Sequence, residues 1–344
     1  MSLNDTSGKL RFLKAYPIKP SDDGFHGSKN IIDIEWWYFD AVFHNEYSVH
    51  VGFRIYHIRG FGILQQRITI YYKGATIRET RKVDVIKNKD FSKKSPTISI
   101  RNKDRVLFDD EHYRKTLNWR YRINLNIEDA EVDLLFEGTT PGWKIETDTT
   151  CWTVPLPKAR VKGKMCFNGK KMDVTGIGYH DHNWGYSPVT VIQNQGWYWG
   201  RITAETLHLT WANTIASAYD QDLIAVINKE QEKENKPISH FHSVSPDKIN
   251  FIPTEYGPSK RFQIPHTFQF SFKEQDTTTK TKISADIKME TVDVHYSRIF
   301  IIHYWRYHVK TNGTLSYGDI TERLDDKSQI IEFLSFKEPR FACE

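Results

Sequence analysis

Residues 178–185 have the sequence Gly178-Tyr179-His180-Asp181-His182-Asn183-Trp184-Gly185 and follow a strand-like run, Met172 to Ile177. If the chain stays extended here, successive side chains point to opposite faces of the strand. The two faces then carry different sets: Tyr179, Asp181 and Asn183 on one, and His180, His182 and Trp184 on the other. A carboxyl, a phenol and an amide on one enclosed face can form an acid-catalysis site. The same groups can form a satisfied buried polar network, and both interpretations stay open.

A β-hairpin is predicted immediately before this segment. Asn168-Gly169 is a strong two-residue turn signal, because both central positions of a type I′ turn require positive φ. The turn joins the runs Ala159 to Phe167 and Lys171 to Ile177. Near the start of the chain, Glu35 to Phe43 and Tyr47 to His57 flank a turn in the same way. Antiparallel pairing is therefore expected around the central segment.

The rest of the chain repeats this pattern of short strands bounded by Gly, Pro, Asn, Asp or Lys. Helix is predicted only for Asp109 to Lys115 and for a short terminal segment, Asp326 to Phe336. Each half has about eight to ten short strands and opens with a tryptophan-rich one, Glu35 to Phe39 or Trp197 to Trp199. We predict an all-β fold of two antiparallel barrel-like domains in tandem. The expected boundaries are an N-terminal arm over 1–30, a first barrel over 31–190 and a second over 191–344.

Composition is that of a globular protein. The chain has 344 residues, 39% hydrophobic and 26% charged. Aromatic residues reach 14%, which favours barrels with a lined cavity over small packed cores. The net charge of +5 is spread along the chain, so nucleic-acid binding is not predicted.

Cysteine usage and hydropathy bear on the compartment. Cys151, Cys166 and Cys343 form no CxxC pair, which predicts free thiols in a reducing environment. Met1 to Lys14 lack the apolar centre of a secretory signal. No run approaches the roughly 18 apolar residues of a spanning helix. We expect a soluble cytoplasmic protein, for which transient contact with a membrane surface stays open; the sequence predicts no oligomeric state.

Asp181 is the candidate catalytic acid, with Tyr179 beside it. Ring-rich surroundings would desolvate the carboxyl, raise its pKa and keep its proton on. A serine nucleophile is disfavoured, because the chain has no Gly-x-Ser-x-Gly element and Ser187 lies in a Tyr-Ser-Pro loop. Nothing in the sequence pairs Cys151 with His180 as a thiol nucleophile.

Tryptophan rings are expected to line the substrate site and to stabilise a developing cation. Glu35 shares a face with Trp37 and Phe39, and a buried glutamate is costly unless it is paired. It is therefore either a core plug bonded to an arginine or part of a cavity wall with Trp37. Further candidates for the wall are His182, Asn183, Trp152, Trp184, Trp197, Trp199, Trp211 and Trp305.

His180 and His182 have the HxH spacing found in metal sites, and a third ligand can be sought at Glu35, His208 or His303. HxH alone is a weak signal. Imidazoles hydrogen-bonded to neighbouring strands explain it better. The prediction is therefore that no metal and no cofactor is bound.

Two anchors, Glu35-Trp36-Trp37-Tyr38 and Gly178-Tyr179-x-Asp181-x-Asn183-Trp184-Gly185, resemble the carotenoid 1,2-hydratases (hydroxyneurosporene synthases). Trp197-Tyr198-Trp199 and Gly318-Asp319-Ile320-Thr321-Glu322 fit the same order, so the resemblance spans nearly the whole chain through a few anchors. It implies two lipocalin-like β-barrel domains. It also implies an apolar cavity near their interface that admits a polyene or isoprenoid.

The resemblance further implies that Asp181 donates a proton and that Tyr179 assists it. The family has a histidine shortly before the tryptophan of an upstream strand, but this chain reads Thr150-Cys151-Trp152 there. Either another group orients the water or the substrate differs.

The expected activity is cofactor-independent hydration of a trisubstituted C=C in an isoprenoid chain, a carotenoid or a polyprenyl lipid, giving a tertiary alcohol. Two alternatives remain. The first is a cyclase of the same fold, in which the cavity only shapes a polyene. The second is an isoprenoid-binding protein without catalysis.

Overall fold

A computed structural model describes most of the chain. The described ranges are residues 13–27, 31–58, 61–87, 91–101, 103–147, 150–187, 194–215, 221–230, 241–276, 279–299 and 302–336. Within them the chain forms 21 β-strands and one short α-helix. The all-β prediction is confirmed.

The first sheet is antiparallel, barrel-like and nearly closed. Its strands are β1 Tyr16–Pro17, β2 Ile32–Phe43, β3 Tyr47–Ile58, β4 Phe61–Tyr72, β5 Ala75–Lys87, β6 Ile98–Ile100, β7 Lys103–Phe108, β8 Arg120–Ile127, β9 Ala130–Gly138, β10 Trp143–Glu146, β11 Cys151–Phe167 and β12 Lys170–Tyr186. Their order is β5-β4-β3-β2-β12-β11-β9-β8-β7-β6, with β10 on the end of β11 and β1 on β10. The long strand β12 therefore pairs with β2 on one side and with β11 on the other.

The second sheet has nine strands. They are β13 Gly196–Thr203, β14 Leu207–Ile215, β15 Gln221–Lys229, β16 Phe241–Ser243, β17 Asn250–Ser259, β18 Phe262–Gln275, β19 Lys282–Ile299, β20 Ile302–Tyr317 and β21 Ile320–Ser335. Their order is β16-β15-β14-β13-β21-β20-β19-β18-β17. Strand β13 pairs with β21, so the first and last strands of this sheet in chain order lie side by side.

The chain divides into two compact units. The first unit comprises residues 15–188 with 228–241, and the second comprises 1–14, 189–227 and 242–344. Each has its own apolar interior rich in rings. Phe39, Phe53, Tyr121 and Phe136 are fully buried in the first, and Trp211, Trp305, Tyr307 and Phe268 in the second. Burial of period-2 apolar side chains between sheet faces is the main stabilising contribution in such a fold.

One helix prediction is confirmed and one is wrong. The helix α1, Asp110–Thr116, begins at the N-cap Asp109, whose carboxylate accepts from the backbone N–H of His112. The predicted terminal helix over Asp326 to Phe336 is wrong, because residues 326–335 belong to β21 and pair with β20 from Lys327 to Ser335. Its apolar residues pack as strand residues because the neighbouring strand satisfies their backbone groups, which a short isolated helix cannot do.

The backbone around the central segment is fixed by glycine. Asn168 and Gly169 both have positive φ, 48° and 74°, as the predicted two-residue turn between β11 and β12 requires. At Gly178 an added Cβ would lie 2.5 Å from Val161 Cγ2 and 2.8 Å from the carbonyl oxygen of Asp40. Only glycine allows the strands to approach this closely, so the position of the segment after it is set by main-chain packing.

Candidate active site

The central segment is extended, as predicted, and its two faces differ in chemistry. All of residues 178–185 lie within β12. In the antiparallel register Asp181 is opposite Tyr38 and His182 is opposite Trp37. Residues directly opposite each other share a face of the sheet. Asp181 and its partners therefore lie on one face of β12, and the two histidines lie on the other.

Asp181 is held by three neutral donors. Its side chain is buried, with 6% exposed. Trp152 Nε1 and Tyr179 Oη each donate to Oδ2 at 2.9 Å, and Asn183 Nδ2 donates to Oδ1 at 3.1 Å. We call these four residues the Asp181 cluster. Burial opposes charge on a carboxyl group, and the three donors give the oxygens of Asp181 hydrogen-bond partners that compensate for it.

A second tyrosine–aspartate pair lies beside the first. Tyr38 Oη donates to Asp40 Oδ2 at 2.7 Å, and Asp40 is fully buried. In the register, Tyr179 is opposite Asp40 and Tyr38 is opposite Asp181, so the two Tyr-x-Asp pairs run antiparallel on the same face. Sequence reasoning missed Asp40. The shared Tyr-x-Asp spacing was a visible signal, but only the strand register shows that the two pairs meet.

The strand that carries Trp152 is irregular next to the site. The pairing of β11 with β12 shifts register between Thr153 and Leu156 and again between Leu156 and Ala159. Pro155 and Pro157 lie at these two positions, and proline has no N–H to donate to the ladder. Bulges of this kind re-aim side chains and are frequent beside active sites.

The opposite face of β12 carries what we call the histidine–carboxylate cluster, formed by Asp23, His26, Glu35, His57, His180 and His182. Asp23 Oδ2 lies 3.0 Å from His180 Nε2 and accepts from Tyr121 Oη at 2.6 Å. Its Oδ1 lies 3.4 Å from His182 Nδ1. Burial opposes charge on Asp23, but the neighbouring His180 and His182 outweigh it and lower the pKa of Asp23 to about 2.

Glu35 is paired, as its burial requires, but its partners are histidines and backbone amides. The N–H groups of His26 and Gly27 donate to its two oxygens at 2.9 and 3.0 Å. His182 Nε2 lies 3.0 Å from Oε1 and His57 Nε2 lies 3.3 Å from Oε2. These contacts outweigh the effect of burial and hold the pKa of Glu35 below its usual range. The pKa of His182 rises to about 9 for the corresponding reason, since the nearby carboxylates of Asp23 and Glu35 overcome its desolvation.

The residues predicted to line one cavity wall lie in different parts of the structure. Trp152 and Asn183 contact Asp181 directly. The other four first-unit candidates, Glu35, Trp37, His182 and Trp184, lie on the histidine face, where Trp37 stacks on His182 at 4.3 Å between ring centroids. In the second unit, Trp197 and Trp199 lie on β13 facing away from Tyr198, while Trp211 and Trp305 pack in the apolar interior.

The thiols are unbridged where the structure describes them. Cys151 and Cys166 form no disulfide, and Cys343 lies outside the described residues. Burial raises the pKa of the Cys151 thiol to about 11, which disfavours a thiolate nucleophile at this position. No helix of the described ranges is long and apolar enough to cross a membrane.

Comparison with known proteins finds similar solved structures but no match in sequence. No family model matches the chain, and no curated protein gives a significant match. A solved structure from Nitrosomonas europaea, provisionally assigned as AttH, aligns with a TM-score of 0.59 at 15% identity, covering 92% of this chain and 96% of its own.

Two further solved structures share the fold at comparable similarity. Kievitone hydratase from Nectria haematococca aligns with a TM-score of 0.56 at 11% identity, covering 97% of this chain and 96% of its own. CghA with Sch210972 aligns with a TM-score of 0.57 at 10% identity, covering 95% and 99%. These neighbours fit the carotenoid hydratase-like fold that the sequence resembles.

Proposed function

We propose that this chain is a cofactor-independent hydratase that adds water across a trisubstituted C=C of an isoprenoid, with Asp181 as the acid. The observation that supports this most is the Asp181 cluster itself, a buried carboxyl oriented by three neutral donors. The structural similarity to kievitone hydratase supports a hydratase on this fold. The anchors of the sequence that resemble carotenoid 1,2-hydratases support an isoprenoid substrate.

The proposed reaction begins with transfer of the Asp181 proton to the less substituted alkene carbon. The C=C electron pair forms the new C–H bond, a tertiary cation develops, and Asp181 becomes a carboxylate. Trp152, Tyr179 and Asn183 already point donors at its oxygens, so they stabilise the negative charge that grows in the transition state. Fixed donors of this kind act where charge develops and need no reorganisation.

Water completes the reaction by adding to the cation. Its oxygen forms the C–O bond, and the proton it releases must pass to a base. Asp40 offers a second carboxyl on the same face of the sheet as Asp181, with Tyr38 fixing its orientation. A carboxylate there can accept this proton, and its return to Asp181 would regenerate the acid. Asp40 would then fill the water-activating role for which the family's upstream histidine is absent from this chain.

The decisive experiment compares the parent with Asp181→Asn on polyprenyl and carotenoid substrates in H₂¹⁸O, read by mass spectrometry. We expect one ¹⁸O per alcohol from the parent and none above background from Asp181→Asn, with the circular dichroism of the variant unchanged. Asp181→Glu should also lose activity, because the extra methylene displaces the proton. Equal hydration by Asp181→Asn would refute the assignment.

The same incubation separates the competing functions. A cyclase would give a product of unchanged mass with no ¹⁸O, and its rate would not depend on Asp181 as a proton donor. A binding protein would retain the isoprenoid without any turnover. The hydratase proposal requires both incorporation of labelled oxygen and its dependence on Asp181.

A further inference from the structure

We propose that the histidine–carboxylate cluster binds one divalent transition-metal ion with zinc-like preferences, through His26 Nδ1, His182 Nε2 and Glu35 Oε1. This site lies on the opposite face of β12 from Asp181, and it does not depend on the proposed hydration. Two imidazoles and one carboxylate form a ligand set that zinc uses in proteins, with a fourth position left for water.

The spacing of the three ligand atoms suits one ion. They all lie within 4.8 Å of one another. His182 Nε2 is 3.0 Å and His26 Nδ1 is 3.7 Å from Glu35 Oε1. Ligands about 2.1 Å from a tetrahedral ion are about 3.4 Å apart, which lies between these two distances. A single ion can therefore bridge Glu35 Oε1 and either histidine nitrogen, and the two nitrogens lie within 4.8 Å of each other, so the side chains must close around the ion.

One ligand atom, His26 Nδ1, is buried without a hydrogen bond to any of the described residues. The side chain as a whole is 23% exposed, so the ring reaches the cluster from its solvent side. Buried polar atoms are nearly always hydrogen-bonded or bound to an ion. A metal at this point would give the nitrogen the partner that it lacks.

The groups behind the ligands orient them as outer-shell groups do in metal sites. His182 Nδ1, its non-ligating nitrogen, faces Asp23 Oδ1 at 3.4 Å. The other oxygen of Glu35 is held by the Gly27 N–H and by His57 Nε2. A carboxylate behind a ligating histidine is the usual device for fixing its ring and its tautomer. Here it comes from Asp23, three residues before the ligand His26.

Ring stacking fixes the two imidazoles further. Trp37 stacks on His182 at 4.3 Å and Trp184 stacks on His26 at 4.2 Å between ring centroids. Each ligand ring is therefore held in its plane by an indole on the same face of the sheet. Side chains locked by packing keep a site in the geometry that a metal needs.

Charge favours a divalent occupant. Asp23 and Glu35 are two buried carboxylates, and buried charges require compensation by partners or by a metal. A divalent ion supplies two positive charges at one point. Such an ion would tie His26, in the segment before β2, to strands β2 and β12 of the same unit. The competing arrangement is an ion network in which protonated histidines supply the charge, and the experiment separates the two.

The test uses the full chain, purified without a polyhistidine tag, stripped with chelator and titrated with Zn²⁺ by isothermal calorimetry. His26→Ala is the diagnostic variant, because His26 is the partly exposed ligand and its loss should leave the fold intact. His242→Ala is the matched control, since His242 also lies between two carboxylates, at 2.9 Å from Asp276 and 3.5 Å from Glu274. That site offers one imidazole where the proposed one offers two.

We expect one Zn²⁺ per chain in the parent and in His242→Ala, and affinity at least about 100-fold lower in His26→Ala, the upper end of what loss of an outer-shell partner costs. Co²⁺ should give the visible absorption of a four-coordinate site in the parent and lose it in His26→Ala. If the stripped parent binds no Zn²⁺, or if His26→Ala binds it as the parent does, the cluster is an ion network and the proposal is wrong. Failure here would leave the ¹⁸O result unaffected.

Discussion

Replacing Gly178 by alanine tests how the central segment is positioned. Gly178 precedes Tyr179 in β12, where it packs closely against residues of β2, β9 and β11. An added Cβ would lie 2.5 Å from Val161 Cγ2, 2.6 Å from Phe136 Cε1 and 2.8 Å from the carbonyl oxygen of Asp40. Ordinary contacts begin at 3.4 Å, so each neighbour must withdraw by somewhat less than about 1 Å.

The cost follows from what those neighbours are. Phe136 and Val161 are buried in the apolar interior and have no room to retreat, and the third atom belongs to the main chain of β2. Overpacking in a well-packed core costs about 1–3 kcal/mol, and the backbone contact places this site at the upper end. For a unit of this size, about 3 kcal/mol corresponds to a fall in Tm of about 6–12 °C. Strand separation at this point would also move Tyr179 away from Asp40, so hydration should fall with stability.

Thermal unfolding followed by tryptophan fluorescence and far-ultraviolet circular dichroism measures the effect. Gly52→Ala is the matched control, because Gly52 is also a strand glycine of the same sheet, and the nearest atom to its added Cβ is the ring tip of His50 at 3.2 Å. Because this contact requires a shift of only a few tenths of an ångström, we expect a Tm within about 2–4 °C of the parent. Equal melting of the two variants would refute the close packing at Gly178.

Three further outcomes are expected. Trp152→Phe keeps an aromatic ring but removes a hydrogen-bond donor to Asp181, so kcat in the ¹⁸O assay should fall about 10²–10³-fold. An unchanged kcat would show that this donor has no role in the reaction. Asp40→Asn should leave the fold intact and lower kcat about 10²–10⁴-fold if Asp40 accepts the proton of water, and a fully active variant would remove it from the mechanism. Burial, helped by the charge of Arg306, lowers the pKa of His308 to about 3 from 6.5, so the unfolded chain binds a proton in that window and the folded chain does not. Stability should therefore fall as the pH drops from 6.5 towards 3, by at most about 1.4 kcal/mol per pH unit. Urea unfolding over this range should show a shallower fall for His308→Gln, and identical slopes would contradict the lowered pKa of this imidazole.

Much of the fold can be predicted from the sequence because turns and strands are encoded by neighbouring residues. Asn168-Gly169 predicts a turn that needs two positive φ angles, and both residues adopt them. Alternating apolar residues predict strands, and most segments identified in this way are strands. The terminal helix was mispredicted because the apolar spacing of Asp326 to Phe336 fits either structure over a short range. Pairing with β20, which is a long-range contact, decides between them.

The site is harder to predict because its partners are distant in sequence. Asp23 and His26 fall in the segment predicted as a polar arm, and a buried aspartate or histidine has the same local signature as a solvated one. Their burial depends on His180 and His182, more than 150 residues later. Glu35 could be recognised as needing a partner, and one of its two interpretations gave it an arginine, whereas the fold supplies histidines.

The two proposed chemistries depend on one property of β12, its register. Because side chains alternate, a slip by one residue would exchange the Asp181 face for the histidine face. The backbone resists this slip at both ends of the segment. On one side, Gly178 packs against the main chain of β2 too closely for any side chain. On the other, Gly185 takes a φ of 84°, and the pairing with β2 shifts between Asn183 and Tyr186. Glycines that carry no chemistry themselves therefore determine which face carries the acid and which carries the imidazoles.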